Sequence, residues 1–162
     1  MRYIYILWLI GVLSSCKTQQ IVPIFDNPPP IQDPNSYFKD VDNDFDKFEG
    51  TWEFQDTLRE FTIKLEKEEA VDDNDGSYIS DMLVGEYLYK ENNVELVNTL
   101  SDINDPSITG YKHNIAGKFL INKFMNPECD DCTVSERRVK LTINNPTNID
   151  GYGLYYLKVC KR

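Results

Sequence analysis

Four cysteines and one histidine are the residues of this chain best suited to metal or redox chemistry. Cys129 and Cys132 form a C-x-x-C pair, Cys160 is a third thiol near the end of the chain, and His113 is the sole histidine. Two C-x-x-C pairs would indicate zinc strongly, but only one is present. To complete four ligands, Cys129 and Cys132 would need Cys160 together with His113, or carboxylates such as Glu128.

A structural disulfide is the interpretation that the cysteines favour. Asp130 and Asp131 lie inside the C-x-x-C pair, and their charge disfavours the thiolate that redox chemistry needs. In an oxidising compartment, a bond from Cys160 to either Cys129 or Cys132 would tie a long loop to the last strand, which is worth about 2–4 kcal/mol. Both pairings remain open, and each leaves one cysteine over.

The chain shows no sign of a catalytic motif. It has no nucleophile elbow and no glycine-rich phosphate loop, and His113 lies in a polar segment, TGYKHN. Two acid-rich segments, residues 40–46 and 72–76, lack the residues that an EF-hand loop requires. We therefore predict a protein that is not an enzyme and holds no cofactor.

The N-terminus predicts an export signal. Arg2 is followed by an apolar run over residues 4–12, too short to cross a bilayer. Leu13-Ser14-Ser15-Cys16 resembles the lipobox of bacterial lipoproteins, whose cysteine carries a diacylglycerol anchor and a fatty acid such as palmitate. The resemblance implies a signal peptide over residues 1–15 and a lipidated Cys16 as the mature N-terminus. Two or more acyl chains anchor a protein stably.

The residues after Cys16 predict a subcellular location and a spacer segment. Lys17 stands where an aspartate would resemble an inner-membrane retention signal, and no acidic cluster follows. We therefore expect the bacterial outer membrane, with the protein facing the periplasm. Five of the eight prolines fall in residues 16–36, so this segment is predicted to be an extended spacer of up to roughly 60 Å.

The charge of the chain excludes one class of partner. Acidic residues outnumber basic ones 27 to 17, which gives a net charge of −10. Loss of residues 1–15 removes one cation, Arg2, and takes the charge from −10 to −11. Nucleic-acid binding is therefore not expected, because neutralising phosphates needs a basic face.

Residues 37–162 read as a single β domain. Apolar and polar residues alternate around positions 52–54, 61–65 and 139–143, and a hairpin is predicted with its turn at Asn92 and Asn93. With further strands at 118–124 and 154–161, the count is about seven mostly antiparallel strands. A short helical turn is expected within residues 41–48. The prediction is an all-β fold, either a meander barrel or a sandwich.

One short motif favours the barrel. Gly50-Thr51-Trp52 after a predicted helical turn resembles the start of lipocalin and calycin barrels, in which the tryptophan packs against a basic residue of the last strand. That resemblance implies a contact between Trp52 and Lys161 or Arg162. A core tryptophan that begins a strand needs no barrel, so the sandwich stays open.

Several segments together resemble one family. They are the SCKTQQ start, FEGTW, GEYLYKENNVELVNTL, PECDDC and ERRVKLT. They are similar to small lipoproteins of unknown function common in flavobacteria. The resemblance implies an anchored β-rich domain and no known activity.

Two functions remain open on the sequence. The first is a non-catalytic protein-interaction or envelope-assembly module, with the membrane and an envelope protein as partners. The alternative is a β-barrel that holds a small apolar or amphipathic ligand, whose pocket residues would be Trp52, Phe54, Phe61 and Tyr87.

Overall fold

A computed structural model describes residues 19–24, 36–72, 78–122, 124, 130–133 and 135–146, together with the backbone of 152–158. Its strands are β1 (Gln20–Pro23), β2 (Ser36–Lys39), β3 (Gly50–Gln55), β4 (Arg59–Asp72), β5 (Ile79–Glu91), β6 (Val94–Asn98), β7 (Ile115–Ile121), β8 (Arg138–Asn144) and β9 (Tyr152–Lys158). Single 3-10 turns lie at Phe45–Lys47, Leu100–Asn104 and Gly110–Lys112. The described part of the chain has no helix long and apolar enough to cross a membrane.

The fold is all-β, as predicted, and the nine strands that the structure describes form one curled sheet that makes a half-barrel. Strands β3 to β6 form one antiparallel meander and β7 to β9 another, and β5 joins β7 to link them. Among the described strands, β3 pairs only with β4 and β9 only with β8, so the half-barrel is open between them. Lys161 and Arg162, expected near Trp52, lie outside the described residues.

Strand β5 is the centre of the sheet. One edge pairs with β4 along almost its whole length, and the other edge pairs in turn with β2, β7 and β6. Its residues from Ser80 to Leu88 are buried on both faces. Such a strand needs apolar residues at consecutive positions, and the run MLVGEYL is of that kind.

The concave face of the sheet holds the main core. Leu83 and Tyr87 of β5, Ile63 and Leu65 of β4, and Val139 and Leu141 of β8 lie in it, with Phe45 and Phe48 from the first 3-10 turn. The convex face carries a second, smaller core. There Met82 and Val84 are covered by Ile103, which belongs to the segment between β6 and β7.

The sheet begins earlier than expected. Gln20–Pro23, inside the segment predicted as a spacer, is strand β1 and pairs in parallel with β2. The next residue, Ile24, is buried in the main core, and its N–H donates to the Lys39 carbonyl at 3.0 Å. The pairing partner is β2, which ends at Lys39, and the proline content alone did not predict this pairing. The extended-spacer prediction therefore does not hold for residues 20–24.

Local predictions about turns agree with the structure. The helical turn expected within residues 41–48 is the 3-10 turn at Phe45–Lys47. Asn92 and Asn93 connect β5 to β6 with φ of 52° and 61°, the left-handed backbone that a tight hairpin requires. The strand predicted at 118–124 is β7, which begins at Ile115.

Two glycines let neighbouring strands approach closely where the sheet curls. A Cβ at Gly85 would lie 2.5 Å from the Lys64 carbonyl oxygen and 2.6 Å from a methyl of Leu65. At Gly117 it would lie 2.1 Å from the Lys140 carbonyl oxygen. Since each closest atom is backbone, it cannot move aside as a flexible side chain would. Glycines inside strands are typical of bends of this kind.

Replacing Gly85 by alanine is expected to lower the free energy of unfolding by about 1–3 kcal/mol, the usual cost of overpacking. The measurement is urea unfolding followed by circular dichroism. Ala70→Gly is the control of opposite sign, because Ala70 has φ of 55° and loses an unfavourable Cβ. That variant should gain about 1 kcal/mol. An unchanged midpoint for Gly85→Ala would show that the strands separate without cost.

Candidate functional site

The four predicted pocket residues share the concave face of the sheet. In the register of β3, β4 and β5, Phe54 lies opposite Phe61, and both Trp52 and Tyr87 lie opposite Ile63. Residues directly opposite each other in a sheet have side chains on the same face. The tertiary structure thus brings together Trp52, Phe54, Phe61 and Tyr87.

The exposure of these four side chains increases across the sheet from β5 to β3. Tyr87 is buried, and its hydroxyl donates to the Asn144 carbonyl at 3.0 Å. Phe61 is half-buried, with its ring centroid 5.6 Å from that of Tyr87. Trp52 and Phe54 are 39% and 55% exposed. The ligand pocket stays a prediction, and what the register adds is an aromatic surface continuous with the core.

Trp52 is held in place although it is exposed. Its indole N–H donates to the Phe48 carbonyl at 2.9 Å, and Phe48 is fully buried in the main core. A partly exposed ring with a bonded N–H keeps its orientation. Such rigid, amphipathic rings are enriched at protein interfaces.

More apolar side chains are exposed at the end of the meander where β4 begins and β5 ends. Leu58 and Val94 are each close to 60% exposed, and Leu96 is also exposed. The two hairpin turns are bonded to each other, since the Asn92 N–H donates to the Leu58 carbonyl at 2.7 Å. We call this set, together with the two exposed rings of β3, the hairpin-end surface: Trp52, Phe54, Leu58, Val94 and Leu96.

Acidic residues surround the hairpin-end surface. Asp56 pairs with Arg59 at 2.6 Å and Glu60 pairs with Lys90 at 3.1 Å. Glu53 on β3 is exposed and makes no ion pair within the described residues. The surface therefore combines apolar side chains with two ion pairs and one acid, Glu53, that no described ion pair neutralises.

The single histidine lies between two carboxylates on the convex face. Its Nδ1 is 2.9 Å from Glu86 Oε1, and its Nε2 is 3.3 Å from Glu68 Oε1. Glu86 is fully buried and also accepts hydrogen bonds from the backbone N–H and side-chain amide of Asn114. Glu68 accepts the Gly110 N–H at 2.7 Å. We call this set the histidine clamp: Glu68, Glu86, Gly110, His113 and Asn114.

The histidine clamp fastens the segment between β6 and β7 to the sheet. Glu86 and Glu68 project from β5 and β4, whereas His113, Gly110 and Asn114 belong to the segment that covers Met82 and Val84. A buried carboxylate is costly unless its oxygens accept hydrogen bonds, and those of Glu86 accept three. His113 therefore has a structural role in this arrangement.

A second buried carboxylate organises the first residues of the domain. Asp81 of β5 is fully buried and accepts hydrogen bonds from the Tyr37 hydroxyl at 2.5 Å and from the N–H groups of Asp40 and Ala70. Burial of Tyr37, followed by its hydrogen bond to Asp81, raises the pKa of that phenol. The phenol thus remains a donor.

In the acid-rich segment 40–46, the carboxylate of Asp40 binds groups of the protein itself, as the following contacts show. Its oxygens accept the N–H groups of Asp44 and Phe45 at 2.8 and 2.9 Å, and Lys67 Nζ lies 3.3 Å away. Burial acts to lower the pKa of Lys67, but the charges and hydrogen bonds of Asp40 and Asp46 outweigh it and raise that pKa. Asp40 therefore caps the first 3-10 turn.

The described residues bear on the predicted metal site in one respect. Within the described residues, no group of three or more histidine, cysteine, aspartate or glutamate side chains is arranged to hold a metal ion. Cys132 is buried and interacts with another residue, whereas Asp130 and Asp131 beside it are exposed. Cys16, Cys129 and Cys160 lie outside the described residues.

An open cleft of about 380 Å³ lies beside the histidine clamp. It is lined by Glu68, Glu69, Ala70, Val71, Asp72 and Thr109. The cleft forms where the pairing of β4 with β5 shifts register between Glu68 and Val71. Its lining is acidic and open to solvent, unlike the apolar pockets typical of small-molecule sites.

Comparison with known proteins places the chain in a family. A family model matches residues 1–158. The chain belongs to the DUF6705 family, a family of unknown function. No curated protein and no solved structure matches the chain. The DUF6705 match spans both the N-terminal segment and the β domain, but it brings no known activity to either.

Sequence reasoning missed the histidine clamp and the Asp81 network. A signal for both was present, since Asp81 and Glu86 are the two acids within the otherwise strand-like run ISDMLVGEYLY. An acid in such a run must find hydrogen-bond donors on whatever covers that face. The donors could not be identified from the sequence, because His113 and Asn114 lie 27 and 28 positions from Glu86.

Glu86→Gln is expected to lower the free energy of unfolding by about 2–4 kcal/mol, because an amide N–H₂ would face donors in a buried site. Urea unfolding measures the loss, and amide hydrogen exchange should show faster exchange over residues 99–114 than elsewhere. Glu95→Gln, at an exposed position, is the matched control and should change stability by less than about 0.5 kcal/mol. Equal effects of the two variants would contradict the structural role of the clamp.

Proposed function

We propose that this DUF6705 protein is a lipid-anchored envelope lipoprotein whose β domain is a non-catalytic protein-interaction module. The observation that carries the proposal is the hairpin-end surface, where Trp52, Phe54, Leu58, Val94 and Leu96 are exposed together. Exposed apolar side chains grouped at one end of a domain are typical of interaction sites. Trp52 is oriented in advance by its bond to Phe48, which reduces the entropy lost on binding.

The burial and contacts of His113 support a non-catalytic role. A general base must reach a substrate proton, yet His113 is buried with both ring nitrogens facing carboxylates. The acidic cleft is adjacent, but the residue of the clamp that lines it is Glu68, not His113. The geometry of the clamp therefore favours support of the fold over chemistry.

The position of β1 sets how a lipidated Cys16 would hold the domain. Gln20, the first residue of β1, is four positions after Cys16. At about 3.3 Å per residue, those positions span at most about 13 Å. We therefore propose that the domain lies directly on the outer membrane, on its periplasmic side, in place of the 60 Å separation that the proline content suggested.

The same geometry directs the hairpin-end surface away from the lipid. Strand β1 is parallel to β2, and β2 is parallel to β5 near Ile79, so a lipidated Cys16 four positions before Gln20 would hold the end where β5 begins. The hairpin-end surface lies where β5 ends, and β5 is 13 residues long. A strand of that length is about 40 Å long. The interaction surface would thus face a partner in the periplasm rather than the anchoring membrane.

A ligand-binding role is the second candidate, and the register favours it in one respect. Trp52, Phe54, Phe61 and Tyr87 share the concave face, as a pocket would require. The ligand would be small and apolar or amphipathic. It would contact the exposed rings of Trp52 and Phe54, since Tyr87 is already buried and bonded to Asn144.

We also propose the disulfide of Cys160 with either Cys129 or Cys132. The burial of Cys132 beside two exposed aspartates supports it, because a bond to the last strand would hold this thiol against the domain while the loop around it stays exposed. In the periplasm such a bond persists.

Intact-mass measurement of the protein purified from bacterial membranes tests the anchor and the disulfide together. We expect a chain that begins at Cys16, carries a diacylglyceryl group and fatty acid, and retains one free thiol. Incorporation of labelled palmitate should be lost in Cys16→Ser, with release of the protein from the membrane fraction. A chain that keeps residues 1–15, or an unmodified Cys16, would contradict the anchor, and three free thiols would contradict the disulfide.

Photo-crosslinking in the intact envelope tests the interaction surface. A benzophenone amino acid replacing Phe54 or Val94 should give a discrete crosslinked protein band. The same group replacing Tyr111, which is similarly exposed but belongs to the segment on the convex face, should not. Bands of equal strength at all three positions, or no band at positions 54 and 94, would remove the support for this surface.

A further inference from the structure

In the part of the chain that the structure describes, strand β3 is an unprotected edge of the sheet. It pairs with β4 and with no other strand that the structure describes, and all six of its residues are exposed. Proteins usually guard such edges with proline, lysine or a bulge, because the unpaired backbone groups can bind another chain. The sequence GTWEFQ has no proline or lysine, and its pairing with β4 has no register shift. Glu53 is its sole charge.

The register shows which backbone groups point outward. The Asp56 N–H donates to the Arg59 carbonyl at 2.9 Å, so these two residues form a hydrogen-bonded pair. Bonded and non-bonded pairs alternate along an antiparallel ladder, so Phe54 and Trp52 direct their N–H and C=O groups to β4. Thr51, Glu53 and Gln55 then direct theirs to the free edge, as a further strand would require.

The side chains of β3 define what an added strand would meet. Trp52 and Phe54 lie on the concave face, where residues of an added strand would pack against their exposed rings. Glu53 lies on the opposite face, and no ion pair neutralises it within the described residues. A complementary strand therefore carries apolar side chains at alternate positions and lysine or arginine between them.

We infer that the free edge of β3 is a strand-addition site for an extended segment of a partner protein, with alternating apolar and basic side chains. Main-chain hydrogen bonds to Thr51, Glu53 and Gln55 would hold the segment antiparallel to β3. Its apolar residues would cover Trp52 and Phe54, and a basic residue would face Glu53. This inference rests on the proposed interaction function and names the class of partner for the hairpin-end surface.

The charge of the chain argues against a second copy as the occupant. Two antiparallel β3 strands related by a two-fold axis near their centre would bring the two Glu53 carboxylates together, and like charges placed opposite each other are destabilising. Each chain also carries a net charge of −10, which adds repulsion over a longer range. A basic partner segment turns both effects into attraction.

The test uses the mature lipoprotein in detergent micelles and a synthetic eight-residue peptide, blocked at both ends, that alternates valine with lysine. Trp52 is the sole tryptophan after residue 15, so its fluorescence reports on the site. We expect a saturable blue shift of its emission. The same peptide with glutamate in place of lysine should bind at least tenfold more weakly.

Two changes separate strand addition from contact through side chains alone. Glu53→Pro removes an outward N–H without touching the β4 ladder, since proline is tolerated at such edge positions. It should abolish binding while circular dichroism stays unchanged, whereas the charge-only control Glu53→Gln should weaken binding about three- to tenfold. N-methylation of the lysine amides, which an antiparallel strand directs towards β3, should also abolish binding. N-methylation of the valine amides should not, and this pair of peptides remains decisive if Glu53→Pro does not fold.

Binding that survives both Glu53→Pro and N-methylation of the lysine amides would overturn strand addition, as would self-association of the lipoprotein through β3 in place of peptide binding. Either result, combined with a crosslink at position 54, would leave the interaction surface standing and remove only the strand. A missing crosslink with normal peptide binding would instead count against the proposed function in the envelope.

Discussion

Strand β5 hydrogen-bonds to four other strands, β2, β4, β6 and β7, and from Ser80 to Leu88 it is buried on both faces. Because no face of this stretch is left to solvent, each residue needs either an apolar neighbour or a hydrogen-bonding one. The main core lies on its concave side and the smaller core on its convex side. The curl of the sheet depends on the same strand, since Gly85 allows β4 to approach it closely.

The two acids of β5 show how this constraint is met. Asp81 collects donors from β2, from the residue after it and from the bulge in β4, and so joins the start of the domain to its centre. Glu86 collects donors from His113 and Asn114, and so holds the segment between β6 and β7 on the convex face. Each acid specifies one particular covering segment, because an apolar residue at the same position would accept any apolar cover. The only histidine of the chain is used for this purpose.

The molecule has two distinct ends. The short strand β1 lies where β5 begins, and the exposed aromatic and aliphatic side chains lie where β5 ends. If Cys16 carries lipid, the long central strand separates membrane and interaction surface by its own length. The domain itself then acts as the spacer that the proline-rich segment was expected to be. The edge of β3 that no described strand occupies lies next to that surface, and we propose that it would add main-chain recognition to it.

Much of the local structure followed from residue order alone. Alternation of apolar and polar residues predicted β3, β4 and β8, and the asparagine pair predicted the β5–β6 turn, since period-two burial and left-handed turns are properties of neighbouring residues. The all-β class has the same origin, whereas the shared face of Trp52, Phe54, Phe61 and Tyr87 depends on the register between β3, β4 and β5. Strands β1 and β2 were not predicted, because each has four residues and both depend on parallel pairing with distant segments. The pairing of β5 with four strands, the His113–Glu86 contact and the free edge of β3 were decided only by the tertiary structure. They join residues far apart in the chain, and hydrogen bonds of that kind leave no period in the sequence.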